Sequence, residues 1–266
     1  MGLLLVVGWG FSGQCQGLDS LRAYFQQFRP KSNDYVEVLG YKLMMRPFFS
    51  LQDQKTTWIG SGPGEANRYI LRPNIGGKLG FEVGNPMFSV ATSMPMTWFE
   101  KDIQKYGDTR YTGLRFSLRL RKLITTFRFS NLKGFYLSNS STFSQFLPPG
   151  EDVMVRGDMK NLQIGLHGYL AFSDKFSFKA AFLQTERQKK PTGSFLLSIF
   201  DQVSRTAADS TIFFPGLKAV FPGAYTMEKL FSNNLGILPG YAYSIVINHY
   251  FLTPMLLVGP VVQLGR

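Results

Sequence analysis

Between residues 69 and 83 apolar and polar side chains alternate almost without error. Tyr69, Leu71, Pro73, Ile75, Leu79, Phe81 and Val83 share one parity, and Arg72, Asn74, Lys78 and Glu82 the other. Successive side chains of a strand point to opposite faces, so the pattern predicts one long strand with an apolar face and a charged face. The alternation recurs at residues 110–120, where Leu114, Phe116, Leu118 and Leu120 oppose Arg115, Ser117, Arg119 and, one step on, Arg121. Residues 123–136 set Phe127 and Phe129 against Thr126 and Arg128, and residues 161–172 set Leu162, Ile164, Leu166 and Leu170 against Asn161, Gln163, His167 and Tyr169. Residues 176–182 read the same way, with Phe176, Phe178, Ala180 and Phe182 opposed to Ser177 and Lys179.

Further strands are predicted at 36–49, 87–94, 194–203, 211–220 and 240–248, and residues 249–251 are expected to turn into a final strand through 264. Gly84-Asn85-Pro86 and Ser173-Asp174-Lys175 read as tight turns, residues 206–209 as a further turn, and residues 52–67, 95–109, 138–157 and 223–234 as long loops. Long and short connections therefore alternate, as they do when one end of a barrel carries loops and the other carries turns. The expected fold class is all-β, an up-and-down antiparallel transmembrane β-barrel of about 10–12 strands. The strands count to about eleven, whereas a bacterial barrel takes an even number, so either a closing C-terminal strand is missing or the count is off by one.

Domain boundaries follow from the ends. Residues 1–17 carry an apolar core (Leu3, Leu4, Leu5, Val6, Val7) like that of a signal peptide, although no Lys or Arg precedes it. The true start then lies upstream, or the segment is a buried strand. Residues 18–34 form a periplasmic lead-in, with Asp19 and Ser20 placed to cap a short helix that Pro30 ends. Residues 35–266 form the barrel domain. Cys15 is the single cysteine, so no disulfide forms within the chain.

Composition agrees with this picture. Aromatic residues make up 15%, led by 25 Phe and 12 Tyr, which suits a lipid-facing wall with aromatic girdles. The mean hydropathy of -0.03 excludes a polytopic helical membrane protein. The net charge of +12 would ordinarily point to nucleic acid. Here the cations are spaced along strands rather than clustered in runs, so no nucleic-acid partner is expected.

The segment FSFKAAFLQTERQKKPTGSFLL (residues 176–197) resembles the central signature of an uncharacterised outer-membrane β-barrel family of Gram-negative bacteria of the Bacteroidota type. LRPNIGGKLGFEV (71–83) and GYAYSIVINHYFLT (240–253) are similar to other parts of that family. Arg187 stands where an aromatic is common, and Pro191-Thr192 where Ser-Ala is common. The resemblance implies a single-domain barrel in the bacterial outer membrane, of about twelve strands when complete, in contact with membrane lipid and the barrel-assembly machinery. It implies no activity.

If the apolar parity meets lipid, Arg72, Lys78, Glu82, Arg115, Arg119, Arg121, Arg128 and Lys179 project into the lumen or its rim. Such a lumen either packs into an Arg/Glu network or draws in an anionic solute. The signature loop Gln184, Glu186, Gln188, Lys189, Lys190, Gly193 and Ser194 is the densest polar run. It reads as an exposed segment that contacts lipid phosphate or a partner, or as a solvated hairpin. The expected role is structural, or passive passage of solute or anion. The alternative is a soluble secreted β-barrel with the apolar parity inward, holding an apolar ligand. No Ser/His/Asp arrangement has a recognisable context, and one Cys with two His makes a transition-metal site improbable, so neither enzyme nor cofactor is expected.

Overall fold

A computed structural model describes residues 31–265 apart from 41–42, 52–53, 61–67, 148, 184, 214–220, 222–225 and 249. The leader, the capped helix of the lead-in, Gln184 and His249 lie outside the described residues. The strands are β1 (Val36–Val38), β2 (Met44–Leu51), β3 (Thr56–Ile59), β4 (Arg68–Arg72), β5 (Gly77–Gly84), β6 (Phe88–Pro95), β7 (Arg110–Arg119) and β8 (Leu123–Leu137). They continue as β9 (Val155–Ala171), β10 (Glu186–Gln188), β11 (Thr192–Ala207), β12 (Lys229–Ile247), β13 (Tyr250–Leu252), β14 (Met255–Leu257) and β15 (Val261–Gly265). Two short helices, α1 (Ile103–Tyr106) and α2 (Phe178–Leu183), interrupt them.

The principal sheet is antiparallel and runs β2-β5-β6-β7-β8-β9-β11-β12. β13, β14 and β15 follow one another along the far side of β12 as a single interrupted strand. Among the described residues β2 and this last strand do not pair, so the sheet is curled rather than closed. The two edges point the same way: Met44 and Tyr250 begin their strands at the end carrying the tight turns, and Leu51 and Gly265 finish at the end carrying the long loops. Each side of the sheet thus has an edge without a partner strand among the described residues.

The faces are inverted relative to a water-soluble protein. Most outward positions are apolar and uncovered, with Phe116 45% exposed, Leu166 52% and Ile237 48%, although Asp201 and Arg205 of β11 lie exposed on the same face. Inward positions are polar and covered: Lys78, Glu82, Ser117, Arg119 and Ser198 are all buried. The parity assigned from the alternation therefore sorts apolar from polar side chains as expected in β5, β7, β8 and β9.

Several expected elements differ. The strand expected at 36–49 is two, β1 in a separate pair with β10 and β2 in the principal sheet, and the loop expected at 52–67 contains β3. Residues 69–83 are two strands, β4 and β5, not one. Pro73 cannot donate to a ladder, and Asn74 leaves the sheet to hold the 95–110 connection, donating Nδ2 to the carbonyls of Lys101 (3.1 Å) and Gly107 (3.0 Å) and accepting from Lys101 N–H (2.8 Å). β4 instead pairs with β3 and with the far end of β8, Leu71 opposite Leu137. The 176–182 strand is a helix: Ser177 Oγ accepts from Ala180 N–H at 3.1 Å, capping the helix-forming run Lys179-Ala180-Ala181. The turn at 206–209 and the loop through 234 shrink, because β11 continues to Ala207 and β12 begins at Lys229. Thr211, Ile212 and Phe213 are not in a strand, and residues 214–220 lie outside the described residues.

β8 carries a bulge between Lys133 and Phe135. Gly134 sits there at φ +95°, and a Cβ would lie 2.2 Å from the Asp108 carbonyl oxygen. Gly134→Ala is expected to lower stability by about 1–3 kcal/mol, measured as an earlier thermal midpoint in detergent. An unchanged midpoint would show that the bulge relaxes.

Candidate functional site

Glu82 stands at the centre of the inward face, fully buried. Its carboxylate accepts from Arg46 Nη2 on β2 (2.6 Å), Ser89 Oγ on β6 (2.6 Å), Arg115 Nη2 on β7 (3.3 Å), and Arg119 Nη2 on the same strand. One carboxylate thus faces three guanidinium groups, and the excess positive charge is left on the lumen side. Arg115 lies directly opposite Arg128 of β8, also inward, and stacks over the Phe48 ring at 4.8 Å. Lys78 is buried with its Nζ 3.4 Å from the centroid of the Tyr111 ring. Neither Lys78 nor Arg128 has a carboxylate partner among the described residues.

Arg46, Phe48, Lys78, Tyr111, Arg115 and Arg128 line a cavity of about 530 Å³ together with Ser93, Asn161, Gln163 and Gln202. A second cavity, of about 750 Å³, lies between β3 and the inward residues of β9, β11, β12 and β15. The two share Gln54, Asn161, Gln163 and Gln202, so they form one continuous interior. No acidic side chain lines either cavity among the described residues.

The turn end of this interior is filled by the segment between β9 and β11. Phe176 and Phe178 are buried against Ile124, Ala171, Leu196 and Ala242 from the inner wall, and Arg46 Nη1 donates to the Phe182 carbonyl. β10 pairs with β1, so the chain's early residues complete the insert. Lys179 and Glu186 are fully covered there, and Ser177 Oγ donates to Glu186. Gln188 Nε2 bonds the carbonyls of Tyr35, Lys175 and Lys190.

The loop end is capped by an ordinary apolar core of Tyr69, Leu71, Leu137, Phe143, Ile212 and Phe213, with Trp58 of β3 packed on it. Beneath this cap Arg156 donates to the carbonyls of Thr211 (2.9 Å) and Ile212 (2.8 Å) and pairs with Asp158. The Arg156 hydrogen bonds hold the Asp158 carboxyl below the usual carboxylate range, and burial pushes the Tyr69 phenol up to about 12.

The residues selected from the sequence therefore fall in three places. Lys78, Glu82, Arg115, Arg119 and Arg128 share the inner wall. Arg121 lies in the β7–β8 turn and donates to the Lys31 carbonyl, and Lys179 belongs to the insert. Arg72 sits at the loop end, opposite Tyr136. The expectation of a solvated signature loop is corrected: Glu186 and Gln188 are buried in the insert, Gly193 and Ser194 belong to β11, and among the described residues of that set Lys189 and Lys190 are the exposed ones. Arg46 and Tyr111 were missed. Arg46 has the parity opposite to Met45, Pro47, Phe49 and Leu51, and that signal would have found it.

His167 Nε2 lies 2.7 Å from Ser198 Oγ, and its ring stacks on Tyr169. Ser198 is buried, and no carboxylate orients the imidazole among the described residues, so the pair lacks the third member of a hydrolytic triad.

The class is defined by this architecture: an all-β protein whose curled antiparallel sheet encloses a polar, cation-rich interior. The family model described as a domain of unknown function (DUF4421) matches residues 31–264, and the chain belongs to that family. No curated protein and no solved structure matches.

Glu82→Gln would leave three guanidinium groups around a neutral amide. The loss expected for removing one partner of a buried ion pair is about 3–5 kcal/mol, seen as a lower unfolding midpoint of the purified protein. Arg115→Gln, which touches Glu82 at a longer distance and is more exposed, is expected to cost less.

Proposed function

We propose that this protein is a bacterial outer-membrane β-barrel that admits an anionic solute to a basic lumen. The observation that carries the reading is the inversion of the faces. A wall that turns Phe116, Phe127, Leu166, Ile199 and Ile237 outward and covers Lys78, Glu82 and Arg119 needs an apolar medium outside and a polar one inside. The soluble alternative requires the opposite facing, with apolar side chains lining the cavity.

A second feature supports lipid as the outer partner. At the loop end of the outward face Arg110, Lys133 and Lys160 lie directly opposite one another across β7, β8 and β9. Lys229 of β12 follows on the next pair of strands, opposite Ala207. Arg110 pairs with Asp108 at 3.2 Å, but Lys133 and Lys160 have no carboxylate partner among the described residues; like charges in direct cross-strand register repel, and a layer of lipid phosphates beside this row would relieve them. The apolar belt begins within a few residues of it, at Leu114 and Phe129.

The charge balance inside favours anions over cations. The insert fills the turn end and the apolar core caps the loop end, so passage along the lumen from end to end requires both to shift.

Fractionation and semi-native gels test the reading. The unboiled protein is expected in the outer membrane as a faster-migrating band. Phe116→Arg places a cation on the lipid face at a cost of about 2–4 kcal/mol at midplane and is expected to block assembly, whereas Arg119→Leu is expected to insert. Insertion lost only in Arg119→Leu would reverse the assignment of faces, and a soluble protein without a mobility shift would sink it.

A further inference from the structure

We infer that the lumen is a binding chamber for an anionic sugar, with the charged group seated at Lys78, Arg115 and Arg128 and the hydroxyl-bearing body lying along Gln163, Gln202, Ser204 and Ser232. The inference deepens the proposed function and rests on the same facing of the wall.

Three observations converge on the charged end. Arg115 and Arg128 stand opposite each other in register on adjacent strands. Such a pair is unfavourable unless something negative lies between or above it. Glu82 cannot neutralise both, since it is already shared among Arg46, Arg115 and Arg119 and makes no contact with Arg128. Lys78 rests on the Tyr111 ring, which attracts a cation without cancelling its charge. Arg128 is inward yet exposed, so its guanidinium faces open space rather than a wall. The cavity floor is therefore preset for an anion of a size the 530 Å³ space can hold.

The upper chamber has different chemistry. Gln163, Gln202, Ser204, Thr206, Ser232 and Asn234 supply amides and hydroxyls, with Lys55 the one charged residue in its lining. Several of these groups bond across the wall: Gln163 Nε2 donates to Asn161 Oδ1 (2.7 Å), Asn161 Nδ2 to Thr206 Oγ1 (2.8 Å), and Ser204 meets Ser232 (2.7 Å). These bonds leave capacity unused. Gln202 makes one long contact, 3.5 Å to Gln163, although its amide offers two donors and an acceptor. Neutral donors and acceptors in alternation suit hydroxyl groups, which both give and accept hydrogen bonds. Trp58, at the edge of this chamber, offers an aromatic face beside them. Free phosphate would use the floor and leave the amide wall idle, and a neutral sugar would do the reverse.

Purified protein in detergent micelles, folded by the criterion of its gel mobility shift, would be titrated with glucose 6-phosphate, glucuronate, glucose and inorganic phosphate. Calorimetry and Trp58 fluorescence would report binding. At least one anionic sugar is expected to bind about tenfold or more tightly than both glucose and phosphate. Arg128→Gln, which removes no partnered charge, is expected to weaken the anionic sugar and phosphate together by about tenfold. Gln202→Leu is expected to weaken the anionic sugar and leave phosphate unchanged. Equal affinity for phosphate and both anionic sugars would reduce the site to a plain anion hole and overturn the inference. So would the absence of binding by protein that shows the mobility shift, or binding that survives both substitutions. Protein that binds as expected but shows no shift and stays soluble would overturn the membrane reading and leave this one intact.

Discussion

One carboxylate holds the start of the sheet in its curve. Glu82 projects from β5 and is bonded by β2, β6 and β7, so four adjacent strands are tied on their concave side by a single buried group. Hydrogen bonds along a ladder fix the spacing of strands but leave the curl of the sheet soft. A charge-assisted contact spanning several strands favours the curved form, because flattening would pull the guanidinium groups away from their only anion. The same arrangement leaves a surplus of positive charge facing the cavity. The element that shapes the wall therefore also sets the electrostatics of the interior.

Above and below that wall the chain uses opposite chemistry. At the loop end Tyr69, Phe213 and their neighbours make a dry apolar cap of the kind found in water-soluble proteins. At the turn end an insert of α2 and β10 carries Phe176 and Phe178 into the interior and buries polar side chains with them. Between the two lies the polar middle, cationic near Arg115 and Arg128 and neutral near Gln163 and Gln202. The interior is thus graded along its length, with its cations gathered at one level and its neutral amides and hydroxyls at the next.

The outward and inward parities could be read from the sequence because the two faces of the sheet carry such different side chains. Every second residue of β7 or β9 either meets the apolar side or avoids it, and a tight turn such as Gly84-Asn85-Pro86 marks where the register restarts. Three kinds of feature could not be read this way. Residues 69–83 keep a flawless alternation across Pro73 and Asn74, although the chain leaves the principal sheet there to serve a contact with Lys101 that lies far off in sequence. Residues 176–182 space their Phe side chains by two, but local helix capping by Ser177 and the covering of that segment by the wall outweigh the period. The signature loop looks solvated by composition, and its burial depends on partners in β1 and α2. For the site, parity was enough to collect the wall cations, but only the cross-strand register reveals that Arg115 and Arg128 oppose each other.

The pairing of β1 with β10 bears on the order of assembly. Gln188 bonds to the carbonyl of Tyr35, 153 residues earlier. Closing so long a loop is rewarded late, after local hairpins such as β5–β6 and β7–β8 have formed. The insert also needs the inner faces of β8, β9, β11 and β12 as its seat. The wall must therefore exist before the insert can settle, and for an interval the nascent interior is open at the turn end. The insert thus settles onto a wall already in place, and the turn end of the interior is filled after the strands that surround it.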